Sequence, residues 1–252
     1  MSWSFFPHGR ILTTNMIINS LSRPGTRHIL NNIENQDFVS WGENENFLTA
    51  VLADGVSSCV HSSKGAKTAC EVLNRIFLRK GDFFLNSDVR FYKKEISKMI
   101  LSYILQEIEK ISKGNTGDID GMKEYSSTIA GILYEKKSDK FLCFNVGDGM
   151  IVASNSDRGD YQVLLAPYQN EKGCCVTTTR GAENTAGLKI FHADNINSII
   201  ILSDGAWKKV FNDKNFSSLN NFIELDNYLE KSNCNDDYSY IAMTRKEFFN
   251  NV

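Results

Sequence analysis

Four consecutive aliphatic residues and one serine precede an Asp-Gly pair in the stretch NSIIILSDGAW, residues 197–207. An earlier stretch, NFLTAVLADGVSS at residues 46–58, repeats this arrangement, with an apolar run that ends at Asp54. A single Asp-Gly pair is usually a turn, because Asp bonds to the local backbone and Gly tolerates positive φ. A carboxylate that ends a buried strand is also held rigidly, as a metal ligand must be. The repeat therefore predicts two central strands and two well-placed acids, Asp54 and Asp204.

The composition bears on domain organisation. Hydrophobic residues make up 42% of the 252 positions, which is enough for a sizeable core. Only 3 prolines occur, and no repeat or low-complexity segment divides the chain. A single domain over residues 1–252 is expected.

Charge, hydropathy and cysteine usage exclude several classes of partner and location. The formal net charge is −2 and the pI is near 6.1, so no basic face suggests nucleic acid or an anionic membrane. No apolar run reaches the roughly 18 residues of a membrane helix, and the first residues lack the pattern of a signal peptide. The 6 cysteines show no Cys-x-x-Cys spacing, which favours reduced thiols. A cytoplasmic protein that binds neither nucleic acid nor membranes is expected.

Hydrophobic periodicity predicts an α+β layered fold. Apolar residues recur at spacings of three and four over residues 64–80 and 90–113, which predicts two helices, and a third is expected over 218–231. Short β-type runs occupy residues 47–53, 127–134, 140–146, 150–154, 161–165, 188–192, 198–203 and 238–243. The stretch CCVTTTR at 174–180 is also strand-like. This order favours a sandwich of mostly antiparallel sheets with helices outside.

Acidic residues lie at junctions where apolar β-type runs begin or end. These acids are Asp37, Asp54, Asp148, Asp204, Asp236 and Asp237. Clustered carboxylates without matching His or Cys suit hard divalent ions such as Mg²⁺ or Mn²⁺. Bound cations also offset the repulsion between half-buried carboxylates. The pattern indicates a divalent metal site, provided that the fold brings these acids together.

Six short motifs in order resemble the metal-dependent protein Ser/Thr phosphatases of the protein phosphatase 2C type. The motifs are ENQDF, ADGVSS, SST, NVGDG, LSDGAW and DDYS, and the resemblance covers residues from about 25 to 243. Each motif is weak alone, but their order and spacing are specific. The details are closest to the compact bacterial branch, in which Gln replaces a Glu of the first motif and a His precedes it by eight positions, as His28 precedes Gln36.

The resemblance implies a sandwich of two antiparallel sheets flanked by helices, with two Mg²⁺ or Mn²⁺ ions at one end. Asp54 would bridge both ions, the Gly55 carbonyl would be a second ligand, and Asp204 and Asp236 would complete one ion's ligands. Asp37 would hold metal-bound water. Such ions lower the pKa of water, so that hydroxide can attack the phosphorus of phosphoserine or phosphothreonine. The implied partners are a phosphorylated protein substrate and a cognate Ser/Thr kinase.

Two departures from the family pattern concern the metals. Gln36 stands where many members have a Glu, and because an amide balances cation charge less well, the second ion is expected to bind more weakly. Lys208 replaces an Asp that some members use, with residues matching Asp148 and Asp204, to bind a third ion. This replacement argues against a third ion here.

Two further departures concern the phosphate. The phosphate-binding Arg of many members matches His28, which leaves Arg27 beside it as a substitute. A His proposed as general acid in eukaryotic members is Val56 here. Arg27 and His28 are expected to face the phosphate. The alternative is that they lie on a solvent-exposed surface strand and have no role in binding.

Other functions stay open. The changes at Gln36 and Lys208 favour a catalytically weak or inactive regulator of the same fold, whereas the retained Asp54, Asp204 and Asp236 favour an enzyme. A different metal-dependent hydrolase would act on a small phosphoester. The stretch CCVTTTR has the Cys-to-Arg spacing of a cysteine phosphatase but lacks the glycines whose amides would cradle phosphate.

Overall fold

The computed structural model describes residues 2–4, 8–13, 15–115, 119–154, 161–170, 173–192, 196–215, 219 and 222–246. The strands are β1 (Ser2–Ser4), β2 (His8–Leu12), β3 (Met16–Arg23), β4 (Phe38–Glu43), β5 (Phe47–Ala53), β6 (Ile129–Glu135), β7 (Lys140–Val146), β8 (Met150–Ser154), β9 (Tyr161–Leu165), β10 (Gln169–Asn170), β11 (Gly173–Cys174), β12 (Gly187–His192), β13 (Ser198–Leu202) and β14 (Tyr238–Arg245). The helices are α1 (Thr26–Leu30), α2 (Ser62–Asn86), α3 (Val89–Asn115), α4 (Asp204–Asn212) and α5 (Phe222–Lys231), with 3₁₀ turns at Ile119–Tyr125 and Ala182–Asn184.

Two six-stranded sheets form the centre of the molecule. The first has the order β1-β4-β5-β6-β7-β12, and the second has the order β2-β3-β14-β13-β8-β9. Every neighbouring pair of strands in both sheets is antiparallel. The two strands that end at Asp-Gly, β5 and β13, lie inside different sheets. The predicted antiparallel α+β sandwich is confirmed.

The inner faces of the two sheets share one apolar core. Leu52 and Ile132 of the first sheet belong to the same buried cluster as Ile201 and Ile241 of the second. All four side chains are at most 1% exposed. Burial of these aliphatic surfaces stabilises the packing of one sheet on the other.

Helices cover the outer face of each sheet. Leu73 and Phe77 of α2 and Ile104 of α3 are fully buried in the cluster on the first sheet. Val210 of α4 and Leu225 of α5 are fully buried on the second. No helix in the described ranges has the length and apolar character needed to cross a membrane. The layers therefore run helix, sheet, sheet, helix.

Most strands near the site have the predicted bounds. The strands β5, β7, β8 and β9 begin and end as expected, and β6, β12, β13 and β14 differ by one or two residues at an end. The strands before residue 47 were not predicted. Polar residues such as Asn19, Ser20 and Ser22 interrupt the apolar pattern of β3 although they are buried.

The helices differ more from the prediction. Helix α2 continues beyond Lys80, where the backbone departs from helical geometry, because Phe84 and Leu85 provide a second buried turn. Helix α4 was not predicted. The third expected helix, over 218–231, is described only from Phe222 to Lys231, and its residues 218 and 220–221 lie outside the described ranges.

The strand expected over residues 174–180 is wrong for most of its length. Only Gly173–Cys174 pairs, with β10, and residues 177–181 form turns. The amide of Thr177 donates to the carbonyl of Ser127 at 2.8 Å. This bond fixes the turn beside the end of the first sheet instead of extending a strand.

Replacing Ile201 with alanine should destabilise the protein strongly, because this side chain is fully buried between the sheets. Truncation of a buried Ile costs about 2–5 kcal/mol of unfolding free energy. The matched control is Leu30→Ala, since Leu30 is 82% exposed, and it should change stability by less than about 0.5 kcal/mol. Urea unfolding monitored by tryptophan fluorescence measures both values, and equal losses would contradict the position of this core.

Candidate functional site

Four of the sequence-predicted acids line one cleft. Asp54, Asp148, Asp204 and Asp236 surround a space of about 170 Å³, together with Gly55, Val56, Ser57, Thr128 and Val176. Asp54 follows β5 and Asp148 follows β7 in the first sheet, whereas Asp204 follows β13 and Asp236 precedes β14 in the second. The cleft thus lies where both sheets end, and the two Asp-Gly pairs face it from opposite sheets.

The backbone at Asp54 is held by the SST motif. The amide of Asp54 donates to Thr128 Oγ1 at 3.1 Å, and the amide of Thr128 donates to the carbonyl of Asp54 at 2.8 Å. Gly55 pairs with Ser127 in an isolated antiparallel bridge and donates to the carbonyl of Gln36 at 3.2 Å. The SST motif therefore positions the central acid by holding its backbone.

Asp204 is the first residue of α4. Ser203 precedes it and exchanges two hydrogen bonds with Ser239, each 2.9 Å long, which join β13 to β14 at the cleft. A Cβ at position 205 would lie 2.1 Å from the carbonyl oxygen of Asp237. Only glycine therefore allows the start of α4 to approach the DDYS motif so closely.

Asp148 lies in the tight turn between β7 and β8. Gly147 has φ +113°, and a Cβ there would lie 2.6 Å from the Thr128 side chain, so glycine is required. Trp207 Nε1 donates to the Asp148 carbonyl at 2.7 Å, and Gln169 Nε2 donates to its carboxylate at 2.6 Å. These contacts hold Asp148 against the same wall of the cleft as α4.

Asp237 connects the N-terminal segment to the end of β14. Its carboxylate accepts hydrogen bonds from the amides of Gly25 at 2.8 Å and Gln36 at 2.7 Å. His28 Nδ1 lies 2.8 Å from the same carboxylate, although without hydrogen-bond geometry. Asp237 is 3% exposed, so it orders the segment around Gln36 from inside the protein. The DDYS motif contains two adjacent acids, and the sequence alone did not show which of them would be a metal ligand and which would hold the backbone.

Arg27 and His28 point in different directions. The His28 side chain is 2% exposed and packs at Asp237, so its position does not fit the phosphate-facing role expected from the sequence. Arg27 is 53% exposed, and its Nη2 donates to Ser57 Oγ at 2.9 Å and to Asp236 at 3.3 Å. Since Ser57 and Asp236 both line the cleft, Arg27 lies at its rim.

Asp37 lies beneath the cleft and is almost completely buried. It is 6% exposed, and neither carboxylate oxygen makes a hydrogen bond of good geometry with a described residue, although Ser239 and Asp54 lie near enough to interact with it. Burial, and then the nearby charge of Asp237, raise the pKa of Asp37 to about 8. Burial and the charges of Asp37 and Asp204 raise the pKa of Asp54 well above its usual range. These carboxylates disfavour one another's charged forms.

The residues at this cleft fit a hard divalent ion. The donors are carboxylate and carbonyl oxygens, and the buried oxygens of Asp37 and Gln36 Oε1 have no hydrogen-bond partner of good geometry among the described residues. Within the described ranges, no three His, Cys, Asp or Glu side chains converge closely enough to hold an ion by themselves. Two acids are instead paired with cations of the chain, Asp204 with Lys208 at 2.6 Å and Asp236 with Arg27. Water and the Gly55 carbonyl would have to complete a coordination shell, as is usual for Mg²⁺.

Comparison with known proteins gives a consistent picture. The family described as protein phosphatase 2C matches residues 24–237. Similar solved structures include the S. agalactiae serine/threonine phosphatase, with 19% identity and TM-score 0.64 over 91% of this chain and 99% of that chain. Stp1 from Staphylococcus aureus has 14% identity and TM-score 0.60 over 97% of this chain and 99% of that chain. RsbX in complex with magnesium has 12% identity and TM-score 0.61 over 94% of this chain and 99% of that chain. No curated protein matches this chain. At these identities the solved structures support the fold alone.

The raised pKa of Asp37 makes stability depend on pH when no divalent ion is present. The folded protein holds this proton up to about pH 8, whereas the unfolded chain releases it near about pH 4. The free energy of unfolding should therefore fall as pH rises from about 5 to 8 in EDTA. Asp37→Asn removes this titration and should make the dependence less steep, with the part that comes from Asp54 remaining.

Urea titrations of both proteins at several pH values measure this difference. Asp82→Asn, at an exposed position of α2, is the control and should keep the wild-type dependence. Parallel curves for wild type and Asp37→Asn would show that Asp37 is charged in the folded state without an ion.

Proposed function

Because this chain belongs to the protein phosphatase 2C family, we propose that it hydrolyses phosphoserine and phosphothreonine in proteins, with Mg²⁺ or Mn²⁺ bound in the acidic cleft of a single domain. The observation that carries this proposal is the placement of Asp54, Asp148, Asp204 and Asp236 around one cleft where both sheets end. RsbX, which has a similar fold, was solved in complex with magnesium, and Mg²⁺ is one of the two ions proposed here.

The proposed ligands follow from the cleft. Asp54 and the carbonyl of Gly55 would hold two ions together, and Asp204 and Asp236 would complete the ligands of one. Asp37 and Gln36 lie behind Asp54 and would orient water or bind directly through their buried oxygens. When bound, such ions lower the pKa of water, which supplies hydroxide near neutral pH.

The chain's own residues bind and orient the substrate. Arg27 presents a half-exposed guanidinium at the rim, and this planar group suits phosphate oxygens. Thr128 and Gly147 fix the backbone on one side of the cleft, and Gly205 fixes it on the other. A rigid frame of this kind keeps the carboxylates in place while a phosphoryl group enters.

The size of the cleft favours a phosphoprotein over a free small molecule. Small-molecule sites usually enclose about 300–1,000 Å³, whereas this cleft measures about 170 Å³. It is large enough for a phosphoryl group and the adjoining side chain, with the remainder of the substrate outside. We therefore favour a protein substrate and, as the source of its phosphate, a Ser/Thr kinase.

The alternatives have less support. A regulator without activity would not need the carboxylates, yet all four line the cleft. A cysteine phosphatase would place a helix N-terminus after Arg180, but the residues that follow form a short 3₁₀ turn and then β12. Free thiols at Cys59, Cys70, Cys143, Cys175 and Cys234 are consistent with the proposed cytoplasmic location.

Asp54→Asn and Asp204→Asn should each reduce Mn²⁺-dependent hydrolysis of phosphoseryl and phosphothreonyl peptides by orders of magnitude. Each change keeps the size of the side chain but removes charge that balances a divalent ion. Phosphate release with and without Mn²⁺ measures the effect, and circular dichroism checks the fold. Asp82→Asn is the matched control, because it makes the same change at an exposed position of α2.

Near wild-type turnover in either cleft variant would show that the metal assignment is wrong. Wild-type protein that acts on small phosphomonoesters but on no phosphopeptide would support the other hydrolase. A folded wild-type protein that binds Mn²⁺ but releases no phosphate would support the regulator.

Arg27→Ala should lower kcat/KM for a phosphopeptide by about tenfold or more, since a charge-assisted hydrogen bond contributes roughly 1.5–3 kcal/mol. His28→Ala should act mainly on stability, because it removes a buried partner of Asp237. The control is Arg90→Ala, because Arg90 is exposed and also pairs with an aspartate, Asp88. Steady-state kinetics and urea unfolding separate the two effects. Unchanged kinetics in Arg27→Ala would remove Arg27 from the phosphate site.

A further inference from the structure

A second cation of the chain, besides Arg27 at the rim, contacts an acid of the cleft. Lys208 lies one helical turn after Asp204 in α4, and its Nζ is 2.6 Å from Asp204 Oδ2. Its charge also interacts with Asp148 and Asp236, the neighbouring acids of the cleft. Lys208 therefore contacts one of the four carboxylates that line the site and lies within range of the charges of two others, although its own side chain is 43% exposed.

This contact differs from the other lysine pairs on helices. Lys209 pairs with Asp213 at 2.9 Å, Lys113 with Glu109 at 2.5 Å and Lys110 with Glu107 at 3.0 Å. The acids of these pairs are 42%, 47% and 30% exposed. Asp204 is only 14% exposed, so its interaction with Lys208 is screened less by water. An ion pair that is fully solvated would be screened by water and would not change the charge of the cleft in this way.

The position of Lys208 is also fixed by its neighbours. Its Nζ lies 5.7 Å from the ring centre of Trp207, and Trp207 is anchored by its hydrogen bond to the Asp148 carbonyl. A cation near an aromatic face is attracted to it. The indole thus helps to keep the ammonium on the side of the cleft formed by Asp148 and Asp204.

We infer that the ammonium group of Lys208 competes with a divalent ion for the carboxylate of Asp204. This competition lowers the affinity of the cleft for the metal. This inference rests on the proposed function. An ammonium that neutralises Asp204 reduces the negative charge available to an arriving ion, and it must withdraw before Oδ2 can become a ligand. The metal site would then need a higher concentration of divalent ion for half occupancy than the same carboxylates would need without Lys208.

Replacing Lys208 with methionine tests this competition, because methionine keeps an unbranched side chain, one heavy atom shorter, and removes the charge. Calorimetric titration should show that Mn²⁺ binds Lys208→Met about fivefold or more tightly than wild type, the effect of removing one ion pair. Lys208→Arg should restore weaker binding. Lys209→Met is the matched control on the same helix, since Lys209 pairs with Asp213 away from the cleft acids, and its affinity should equal that of wild type.

Unchanged or weaker Mn²⁺ binding in a folded Lys208→Met protein would overturn the competition, since it would show that Lys208 only supports Asp204 or plays no part. Equal tightening in Lys208→Met and Lys209→Met would overturn it too, because a general charge effect would then explain the result. If neither wild type nor any variant binds Mn²⁺, the result contradicts the proposed metal site itself, and with it the role of Lys208. Since the readout is binding heat, it does not depend on phosphatase activity.

Discussion

Mutual repulsion among carboxylates is the constraint on which the rest of the site depends. Asp37 and Asp54 lie close enough, and dry enough, that each disfavours the charged form of the other, and Asp204 adds to the effect. A protein gains nothing in stability by gathering such groups unless a cation joins them. Two cations of the chain, Lys208 and Arg27, each pair with one cleft acid, and the buried oxygens of Asp37 are left without a hydrogen bond of good geometry to the described residues.

The scaffold that holds these acids is mostly backbone. Asp237 binds the amides of Gly25 and Gln36, the SST motif binds the backbone of Asp54, and Ser203 and Ser239 join β13 to β14. Each connection crosses between segments distant in sequence. The sandwich core keeps the sheet ends together, and these hydrogen bonds then set the positions of the carboxylates.

Sequence patterns predicted the central strands well because their apolar runs are long and buried on both faces. They missed α4, since an Asp-Gly pair at a strand end favours a turn, and the close approach of Gly205 to Asp237 is a tertiary contact that the sequence does not show. They also missed β1 to β4, and in β3 and β4 buried polar residues such as Asn19, Ser20 and Ser40 interrupt the apolar pattern. The motifs identified the acids of the cleft, but whether a side chain points inward depends on tertiary contacts. Arg27 and His28 are adjacent in sequence, yet one reaches the rim and the other is buried at Asp237.

Anomalous diffraction at the manganese absorption edge, from crystals soaked in Mn²⁺, tests the metal site most directly. Two peaks are predicted in the cleft, both beside Asp54 and one within ligand distance of Asp204 and Asp236. At a Mn²⁺ concentration that saturates activity, the absence of any peak near these carboxylates would contradict a metal-dependent mechanism at this cleft.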